Sequence, residues 1–273
     1  MSRLSRRYIR IAGDLAGGQL HLRLAEPEVR RRRALLCFHL SPVSGAIYDA
    51  LLPEMGRDRL VVAPDTPGYG ASDAPAAPPG IADYARTFGA MLDALDLTEV
   101  DCIGYHTGSK IALELALQRP QTVRHLVLIS APVYTDDELA AQRTAYEPID
   151  PRADGQHLLE YWRELWRYRG PGQTAEMIMR CFPDHLRGGN QRHWGHRAAF
   201  GYDHRQRLPL ATQPVLVINP ADDLTAFTAR AAPLIRHGEL LDRPQWGHGF
   251  LDLHTADFAA LLRRFLDDQQ RDA

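Results

Sequence analysis

Two patterns of apolar and polar residues occur along this chain, and each predicts a different kind of strand. Residues 8–11 and 19–24 alternate apolar with polar side chains around Gly17-Gly18, which predicts an antiparallel hairpin at the edge of a sheet. Residues 34–38 form a continuous apolar run, which is typical of a strand buried on both faces, and mainly apolar runs at 60–63, 100–104, 123–129 and 215–218 predict further buried strands. The chain therefore combines an edge hairpin with a buried central sheet.

Helical spacing of apolar residues fills most of the intervals between these strands. It predicts helices near residues 46–55, 81–95, 107–118 and 226–235 and a terminal amphipathic helix at 255–267. A further short strand is predicted at 239–241. Strands that alternate with helices indicate right-handed crossovers. We therefore predict an α/β fold with a mainly parallel, doubly wound sheet.

This alternation stops between residues 132 and 209. The stretch contains no buried-strand run, and its helical segments are rich in aromatic residues. We predict that residues 133–208 form a helical insertion over the sheet, which we call the cap. Residues 1–132 and 209–273 then form the core.

Four histidines lie in the cap, and two of them have a His-x-x-His spacing that places both rings on one helix face. The four are His185, His193, His196 and His204. No nearby cysteine or glutamate completes a zinc signature, so we expect these residues to be surface histidines and predict no metal site among them.

Charge and cysteine content narrow the classes of function. The 273 residues carry a formal net charge of −2, which argues against a dedicated nucleic-acid-binding protein. Lys110 is the only lysine, and the basic run at 30–33 is expected to be a solvated loop. Cys37, Cys102 and Cys181 form neither a disulfide framework nor a Cys-x-x-Cys pair.

We see no signal peptide and no apolar run of membrane length in the sequence. We therefore expect a cytoplasmic protein that acts on a small molecule, with no membrane or nucleic-acid partner and no cofactor. The sequence leaves the oligomeric state open.

The stretch from Val100 to Ala112 organises the functional prediction. It predicts a buried strand, a sharp turn between Gly104 and Gly108, and the start of a helix. This order resembles the nucleophile elbow of serine hydrolases, a strained turn that lifts one side chain above the end of a parallel sheet. Here the central position of the turn holds His106 instead of a serine.

Four further landmarks, in the same order, resemble the α/β-hydrolase superfamily over nearly all of the chain outside the cap. They are His39-Leu40-Ser41-Pro42 after the third strand, the loop from Asp65 to Ser72, Asp222 after the strand at 215–218, and Gly247-His248 before the last helix. The resemblance implies an α/β-hydrolase fold with a helical cap inserted after the sixth strand.

The same resemblance implies roles for individual residues. His248 would be the general base, and Asp222 would orient it, with the adjacent Asp223 as a competitor for that role. The backbone N–H groups of Ser41 and Thr107 would form the oxyanion hole.

The chain departs from the family pattern at two positions. Leu40 stands where the family has glycine, and its Cβ restricts positive φ. The other is His106, for which three interpretations remain open. In the first, His106 is a nucleophile, or the base for an attacking water, together with His248 and Asp222. In the second, the pocket binds a ligand without turnover. In the third, His106 and His248, with Asp222 or His39, bind a metal.

The expected activity is hydrolysis of a small, largely apolar ester, thioester or lactone by a His-Asp-His constellation of His106, Asp222 and His248. Two alternative classes remain open beside the metal-binding variant of the site. One is a ligand-binding protein on a hydrolase scaffold, and the other is a lyase or C–C bond enzyme that uses the two histidines as acid and base.

Overall fold

A computed structural model describes residues 2–11, 18–148 and 150–267 of the chain. One sheet of eight strands, in the order β1-β2-β4-β3-β5-β6-β7-β8, forms the centre of the molecule. The strands are β1 Arg3–Arg10, β2 Gln19–Glu26, β3 Ala34–Phe38, β4 Val61–Pro64, β5 Val100–Tyr105, β6 Val123–Ile129, β7 Val215–Pro220 and β8 Gly238–Arg243.

The first two strands form an antiparallel pair at one edge of the sheet, as the alternating pattern predicted. Gly17, in the predicted turn between them, lies outside the described residues. β2 also runs antiparallel to β4, whereas every pair from β4 through β3 to β8 is parallel. The predicted mainly parallel α/β sheet is therefore confirmed.

Both faces of the central strands are largely buried, which explains why their residues are mainly apolar. In β3, Leu36 and Phe38 pack into one apolar cluster, whereas Leu35 and Cys37 pack into the cluster on the opposite face. Side chains alternate between the two faces of a strand, so a strand covered by helices on both faces needs apolar residues at every position.

Eleven α-helices occur in the described residues, and α3 and α11 have the predicted bounds. They are α1 Leu51–Met55, α2 Ile81–Ala94, α3 Thr107–Gln118, α4 Asp136–Ala145, α5 Gln156–Arg167, α6 Ala175–Arg187, α7 Trp194–Phe200, α8 His204–Arg207, α9 Thr225–Ala229, α10 Phe250–Leu253 and α11 Thr255–Asp267. None of the helices in this part of the chain is long and apolar enough to cross a membrane.

Two predicted helices are broken in the structure, and a proline accounts for each break. The helix predicted at 46–55 is a 3₁₀ turn followed by α1, with Pro53 in the first turn of α1. The helix predicted at 226–235 ends as α9, and Pro233 lies in a separate 3₁₀ turn. Proline lacks the backbone N–H and clashes with the carbonyl four residues earlier, so a continuous helix cannot run through either position.

The described residues between β6 and β7 form helices and turns without a strand. The helices α4 to α8 lie in this interval. The division into a core and a separate cap domain at residue 133 stays a prediction. The carboxyl ends of β5, β6 and β7 meet this region, so residues at those strand ends lie between the sheet and the cap.

Candidate active site

The turn between β5 and α3 holds His106 in a strained backbone conformation. His106 has φ 49° and ψ −111°, a region that residues with a side chain rarely adopt. The flanking glycines permit the tight turn. A Cβ on Gly104 would lie 2.1 Å from the carbonyl oxygen of Gly108, and one on Gly108 would lie 2.1 Å from that of Phe38. The elbow geometry therefore forms around a histidine.

The imidazole of His106 is bound to the carboxylate of Asp222. Its Nε2 lies 3.0 Å from Asp222 Oδ2, which also accepts a 2.5 Å hydrogen bond from Ser130 Oγ. Asp222 Oδ1 accepts from the backbone N–H of Leu224 at 2.8 Å. Both oxygens of this buried carboxylate are thus satisfied.

This arrangement fixes which nitrogen of His106 is available. Burial alone would raise the pKa of Asp222, but the hydrogen bond and charge of His106, with the Ser130 hydroxyl, hold that pKa below its usual range. An ionised carboxylate only accepts hydrogen bonds, so Nε2 carries the proton. No described residue hydrogen-bonds Nδ1, and His106 lines a cavity between the sheet and the helices α4 to α8. In the neutral imidazole, Nδ1 therefore presents its lone pair there.

A second imidazole–carboxylate pair lies beside the first. His248 Nε2 is 2.8 Å from Asp223 Oδ1, and His248 Nδ1 is 3.5 Å from the hydroxyl of Tyr105. The rings of His106 and His248 have centroids 5.6 Å apart. Tyr105 packs edge-on against His106, so its ring lies beside both histidines.

The predicted pairing of Asp222 with His248 is therefore wrong. Asp222 binds His106, and Asp223, which the sequence favoured less, binds His248. The physical reason lies in the turn after β7. Asp222 Oδ1 accepts from the N–H of Leu224 and the N–H of Asp222 donates to Thr225 Oγ1. This turn fixes the Asp222 side chain in the buried position beside Ser130, and Asp223 remains more exposed.

The charges around His248 give it a different chemical role from that of His106. Burial lowers the pKa of His248, but the hydrogen bond to Asp223 and the charges of both aspartates outweigh burial and raise it above its ordinary value. Burial raises the pKa of Asp223, but the hydrogen bond from His248 and the charges of His248 and His106 outweigh it and lower that pKa to about 2. His248 therefore keeps its proton to higher pH than an isolated histidine, and is placed to serve as a proton donor.

Ser41 and Thr107, the predicted oxyanion-hole residues, both line the same cavity as His106. Thr107 is the first residue of α3, and its amide donates to no other described residue. Leu40 lines the cavity as well, and its carbonyl oxygen accepts a 2.7 Å hydrogen bond from His39 Nδ1. The role of these amides in binding an oxyanion stays a prediction.

His39 is unavailable to a metal because both ring nitrogens are engaged. Nδ1 donates to Leu40, and Nε2 accepts from the N–H of Thr66 at 2.8 Å. Among the described residues, the one group of histidine, cysteine and carboxylate side chains spaced for a metal is His106, Asp222 and Asp223, with donor atoms within 4.8 Å of one another.

A cavity of about 560 Å³ lies between the sheet and the α4–α8 region. Four tyrosines from this region, Tyr134, Tyr146, Tyr161 and Tyr168, contribute to its wall. A second cavity of about 530 Å³ adjoins the first. The two share eight lining residues, which are Tyr134, Tyr146, Glu164, Tyr168, Arg192, Phe200, Asp223 and Leu224.

The cap histidines are not surface residues, contrary to the prediction. His185, His193 and His204 are buried, and His196 is half-buried in the cavity wall. His196 stacks on Tyr146 with ring centroids 4.1 Å apart, and His185 hydrogen-bonds the Tyr161 hydroxyl at 2.5 Å. Burial, with the nearby Arg192 charge, lowers the pKa of both His185 and His196 to about 3. Neutral imidazoles pack like aromatic rings, which explains their burial.

Arg192 is a cation in the cavity wall without an acidic partner. Its guanidinium lies 3.9 Å from the centroid of the Tyr161 ring, and no described carboxylate lies within ion-pair distance of it. The other charged residues of the wall include Asp184, which accepts a short hydrogen bond from Ser44 Oγ. The wall is therefore more polar than the sequence led us to expect.

Two contributors to the site, Ser130 and Tyr105, were absent from the sequence prediction. Ser130 has φ 50°, and this strained backbone aims its hydroxyl at Asp222. The available signal was position, because Ser130 directly follows the apolar run of β6, beside the elbow strand. Tyr105 precedes the elbow centre and could have been identified by the same reasoning.

Comparison with known proteins identifies the family. A family model for the alpha/beta hydrolase fold matches residues 33–255. An uncharacterized protein of Mycobacterium bovis is 30% identical over 154 residues, which cover 54% of this chain and 45% of the relative. The 2-hydroxymuconate semialdehyde hydrolase of a Pseudomonas species is 38% identical over 91 residues, which cover 32% of this chain and 31% of that enzyme. The matched segments thus span less than half of either relative.

The fold is shared with solved structures at lower identity. The enol-lactonase from Burkholderia xenovorans LB400 has a TM-score of 0.74 and 16% identity, and the match covers 96% of this chain and all of that one. At this identity the likeness shows the fold alone. The family model matches by sequence, and its span includes the elbow, the loop with Asp222 and Asp223, and His248. The chain therefore belongs to the alpha/beta hydrolase fold family.

Proposed function

We propose that this protein hydrolyses a carbonyl substrate, an ester, thioester or lactone, with His106 as the nucleophile. One observation supports this most directly. The imidazole of His106 stands at the strained elbow with Nε2 bound to an ionised, buried carboxylate, and Nδ1 is left free toward the cavity. Imidazole attacks activated acyl groups, and the acyl-imidazole that forms is labile to water.

The first half of the reaction transfers the acyl group to the enzyme. The lone pair of His106 Nδ1 forms a bond to the carbonyl carbon, and the carbonyl oxygen becomes an oxyanion beside the amides of Thr107 and Ser41. The bond to the leaving oxygen or sulfur then breaks, and the leaving group takes a proton from the His248 imidazolium. Asp222 offsets the positive charge of the acylated imidazole through its hydrogen bond to Nε2.

The second half returns the enzyme to its starting state. Water attacks the acyl carbon and gives its proton to His248, which is now neutral. The bond between Nδ1 and the acyl carbon then breaks, which releases the carboxylic acid and restores the lone pair of His106. Asp223 holds His248 in position through both halves.

The side chains of the cavity wall favour a substrate that has an aromatic or planar portion and an anionic group. The tyrosines offer flat apolar surface, and Arg192 offers an unpaired guanidinium of the kind that binds carboxylates. A substrate that carries such an anion in reach of Arg192 would pair with that charge. The expected substrate class, first predicted as small and largely apolar, is therefore extended in this proposal to acyl groups with a polar end.

A panel of activated aryl esters, with neutral and carboxylate-bearing acyl groups, tests the proposal across a range of pH. We expect turnover by the wild type and a loss of at least about 100-fold in kcat/KM for His106→Ala. The exposed histidine at position 237 provides a matched control, since His237→Ala should leave kcat/KM unchanged. Arg192→Met should raise KM for the carboxylate-bearing ester and leave the neutral one unaffected.

Other outcomes would favour the alternatives. Wild-type turnover by His106→Ala would exclude His106 from the chemistry. No turnover of any ester, combined with a rise in melting temperature on ligand addition, would favour a binding protein. Cleavage of a C–C bond adjacent to a ketone, without ester turnover, would favour an acid–base lyase.

A metal-dependent reaction is the second candidate, because His106, Asp222 and Asp223 have suitable spacing. The hydrogen bonds of Asp222 disfavour it. Its oxygens already accept from His106, Ser130 and Leu224, so a metal would have to replace these partners. Ester turnover that survives dialysis against a chelator would exclude this candidate, and a loss restored by added metal would support it.

A further inference from the structure

The only lysine of the chain lies in the wall of the main cavity. Lys110 is on α3, one turn after the elbow, and its side chain is almost completely buried. Its Nζ lies 3.2 Å from the carbonyl oxygen of Tyr202 and 3.4 Å from His204 Nδ1. All the other residues of the lysine and arginine class are arginines, so lysine occurs at this position alone in the sequence.

Lys110 has no acidic partner in the part of the chain that the structure describes, because the carboxylates near it are bound to arginines. Glu114, one turn further along α3, accepts hydrogen bonds from Arg207 and from the Tyr202 hydroxyl. Asp203 is paired with Arg205 at 2.7 Å. A buried ammonium without a counter-ion is costly, and a lysine avoids that cost by losing its proton.

The hydrogen bonds of His204 also favour a neutral amine. His204 Nδ1 lies 3.0 Å from the carbonyl oxygen of Pro132, which only accepts, so Nδ1 carries the ring proton. That nitrogen cannot accept a hydrogen bond from Lys110, so a hydrogen bond between Nδ1 and Nζ requires a lone pair on Nζ. In agreement with this geometry, burial lowers the pKa of Lys110 to about 7, against a smaller opposite effect of Asp203.

We propose that Lys110 is a nucleophilic amine in the cavity wall that forms an imine with a small aldehyde or ketone. A neutral amine attacks carbonyl carbon, whereas the guanidinium of an arginine at this position would stay charged and unreactive. The site is separate from the two imidazole–carboxylate pairs. Its ligand class is a carbonyl compound small enough for the cavity of about 560 Å³.

The step balances without an oxidant or a reductant. The lone pair of Nζ forms a bond to the carbonyl carbon, and a proton moves from Nζ to the carbonyl oxygen, which gives a carbinolamine. The hydroxyl then leaves as water with the second Nζ proton, and a C=N double bond remains. The other nitrogen of the same imidazole, His204 Nε2, is buried and has no hydrogen-bond partner among the described residues.

Reductive trapping tests this inference cleanly because the chain has one lysine. The folded protein is incubated with benzaldehyde and sodium cyanoborohydride between pH 5.5 and 9.5, and adducts are located by peptide mass mapping. We expect a benzyl adduct at Lys110 whose rate of formation rises through about pH 7. Peptide mapping separates it from any adduct at the α-amino group.

Three variants serve as controls. Lys110→Met should give no adduct in that peptide and should retain the wild-type circular dichroism spectrum. Arg163→Lys adds an exposed lysine on α5, and at pH 7 its labelling should be at least ~100-fold slower than that of Lys110, because an ordinary lysine has a pKa of about 10.4. His106→Ala should be labelled at Lys110 like the wild type, which keeps this test independent of the proposed hydrolysis.

Two results would overturn the inference. One is labelling of Lys110 with the same pH dependence as the lysine introduced at position 163. The other is an adduct at Lys110 only after unfolding in urea, which would show that aldehydes do not reach Nζ in the folded cavity.

Discussion

Asp222 and Asp223 are adjacent in the chain, yet each binds a different imidazole. Asp222 is buried beside Ser130 and binds His106, whereas Asp223 is more exposed and binds His248. Spacing from β7 favoured one acid because the sequence does not reveal how a turn directs consecutive side chains. Each carboxylate acts on hydrolysis through the histidine that it binds. Replacing Asp222 by asparagine should therefore affect the reaction differently from replacing Asp223 by asparagine.

Asp222→Asn should abolish ester hydrolysis while the fold is retained. The amide of asparagine can donate to Nε2, which moves the ring proton of His106 to Nδ1 and removes the lone pair from the cavity. We expect kcat to fall by at least ~100-fold. Steady-state kinetics, with circular dichroism as a check on folding, measures this. A kcat within a few-fold of the wild type would contradict the assigned tautomer.

Asp223→Asn should change the pH dependence of hydrolysis. The hydrogen bond and charge of Asp223 help to raise the pKa of His248, so the imidazolium survives to higher pH. In the proposed reaction, activity declines as pH rises and His248 loses its proton. Without the carboxylate this decline should begin at lower pH, as a profile of kcat against pH would show. An unchanged alkaline limb would mean that His248 does not supply the proton.

At the scale of elements, α7 meets the loop after β3 through a glycine. A Cβ on Gly195 would lie 2.1 Å from Ser41 Oγ and 2.6 Å from the Tyr69 hydroxyl. The same hydroxyl accepts a hydrogen bond from the N–H of Gly195 and donates to the carbonyl of Arg192. The contact thus fixes α7 against a residue of the predicted oxyanion hole.

Gly195→Ala should therefore both destabilise the protein and impair hydrolysis. The added methyl must displace the Ser41 and Tyr69 side chains or shift α7, and overpacking of this kind costs ~1–3 kcal/mol in the free energy of unfolding. Urea denaturation and kcat/KM measure the two effects. Gly201→Ala, at the other end of α7, is the control, since its Cβ would come no closer than 3.4 Å to a neighbour. Equal effects of the two substitutions would contradict this account.

Most elements could be predicted because their signals are local. Mainly apolar runs located the central strands, and helical spacing located α3 and α11, with Pro120 marking the end of α3. Two glycines predicted the elbow because a Cβ at either would clash with backbone. The cap histidines were misjudged because their burial depends on tertiary partners such as Tyr146 and Arg192, which no local pattern reveals.

At the scale of the whole molecule, buried neutral histidines should make the protein sensitive to mild acid. The pKa of His185 and of His196 falls from the ordinary 6.5 to about 3 in the folded state. The unfolded chain therefore binds protons that the folded chain does not. The stability these groups provide is complete above about pH 6.5 and is lost as pH falls toward 3. The raised pKa of His248 acts in the opposite direction.

His196→Phe tests this dependence, because phenylalanine keeps a ring against Tyr146 and cannot be protonated. The melting temperature of the variant should fall less steeply than that of the wild type between pH 6.5 and 4. Below that window, protonation of the aspartates with lowered pKa adds a further loss in both proteins. Parallel profiles for the two proteins would show that His196 is not kept neutral by folding.

The two adjoining cavities share a wall that includes Tyr146 and Asp223. That wall is made of side chains, and its Tyr146 ring stacks on His196. In the proposed hydrolysis of an ester or thioester, the two products would have separate spaces to occupy on either side of that wall. A product that moves to the second space would leave the cavity beside His106 clear for the next substrate.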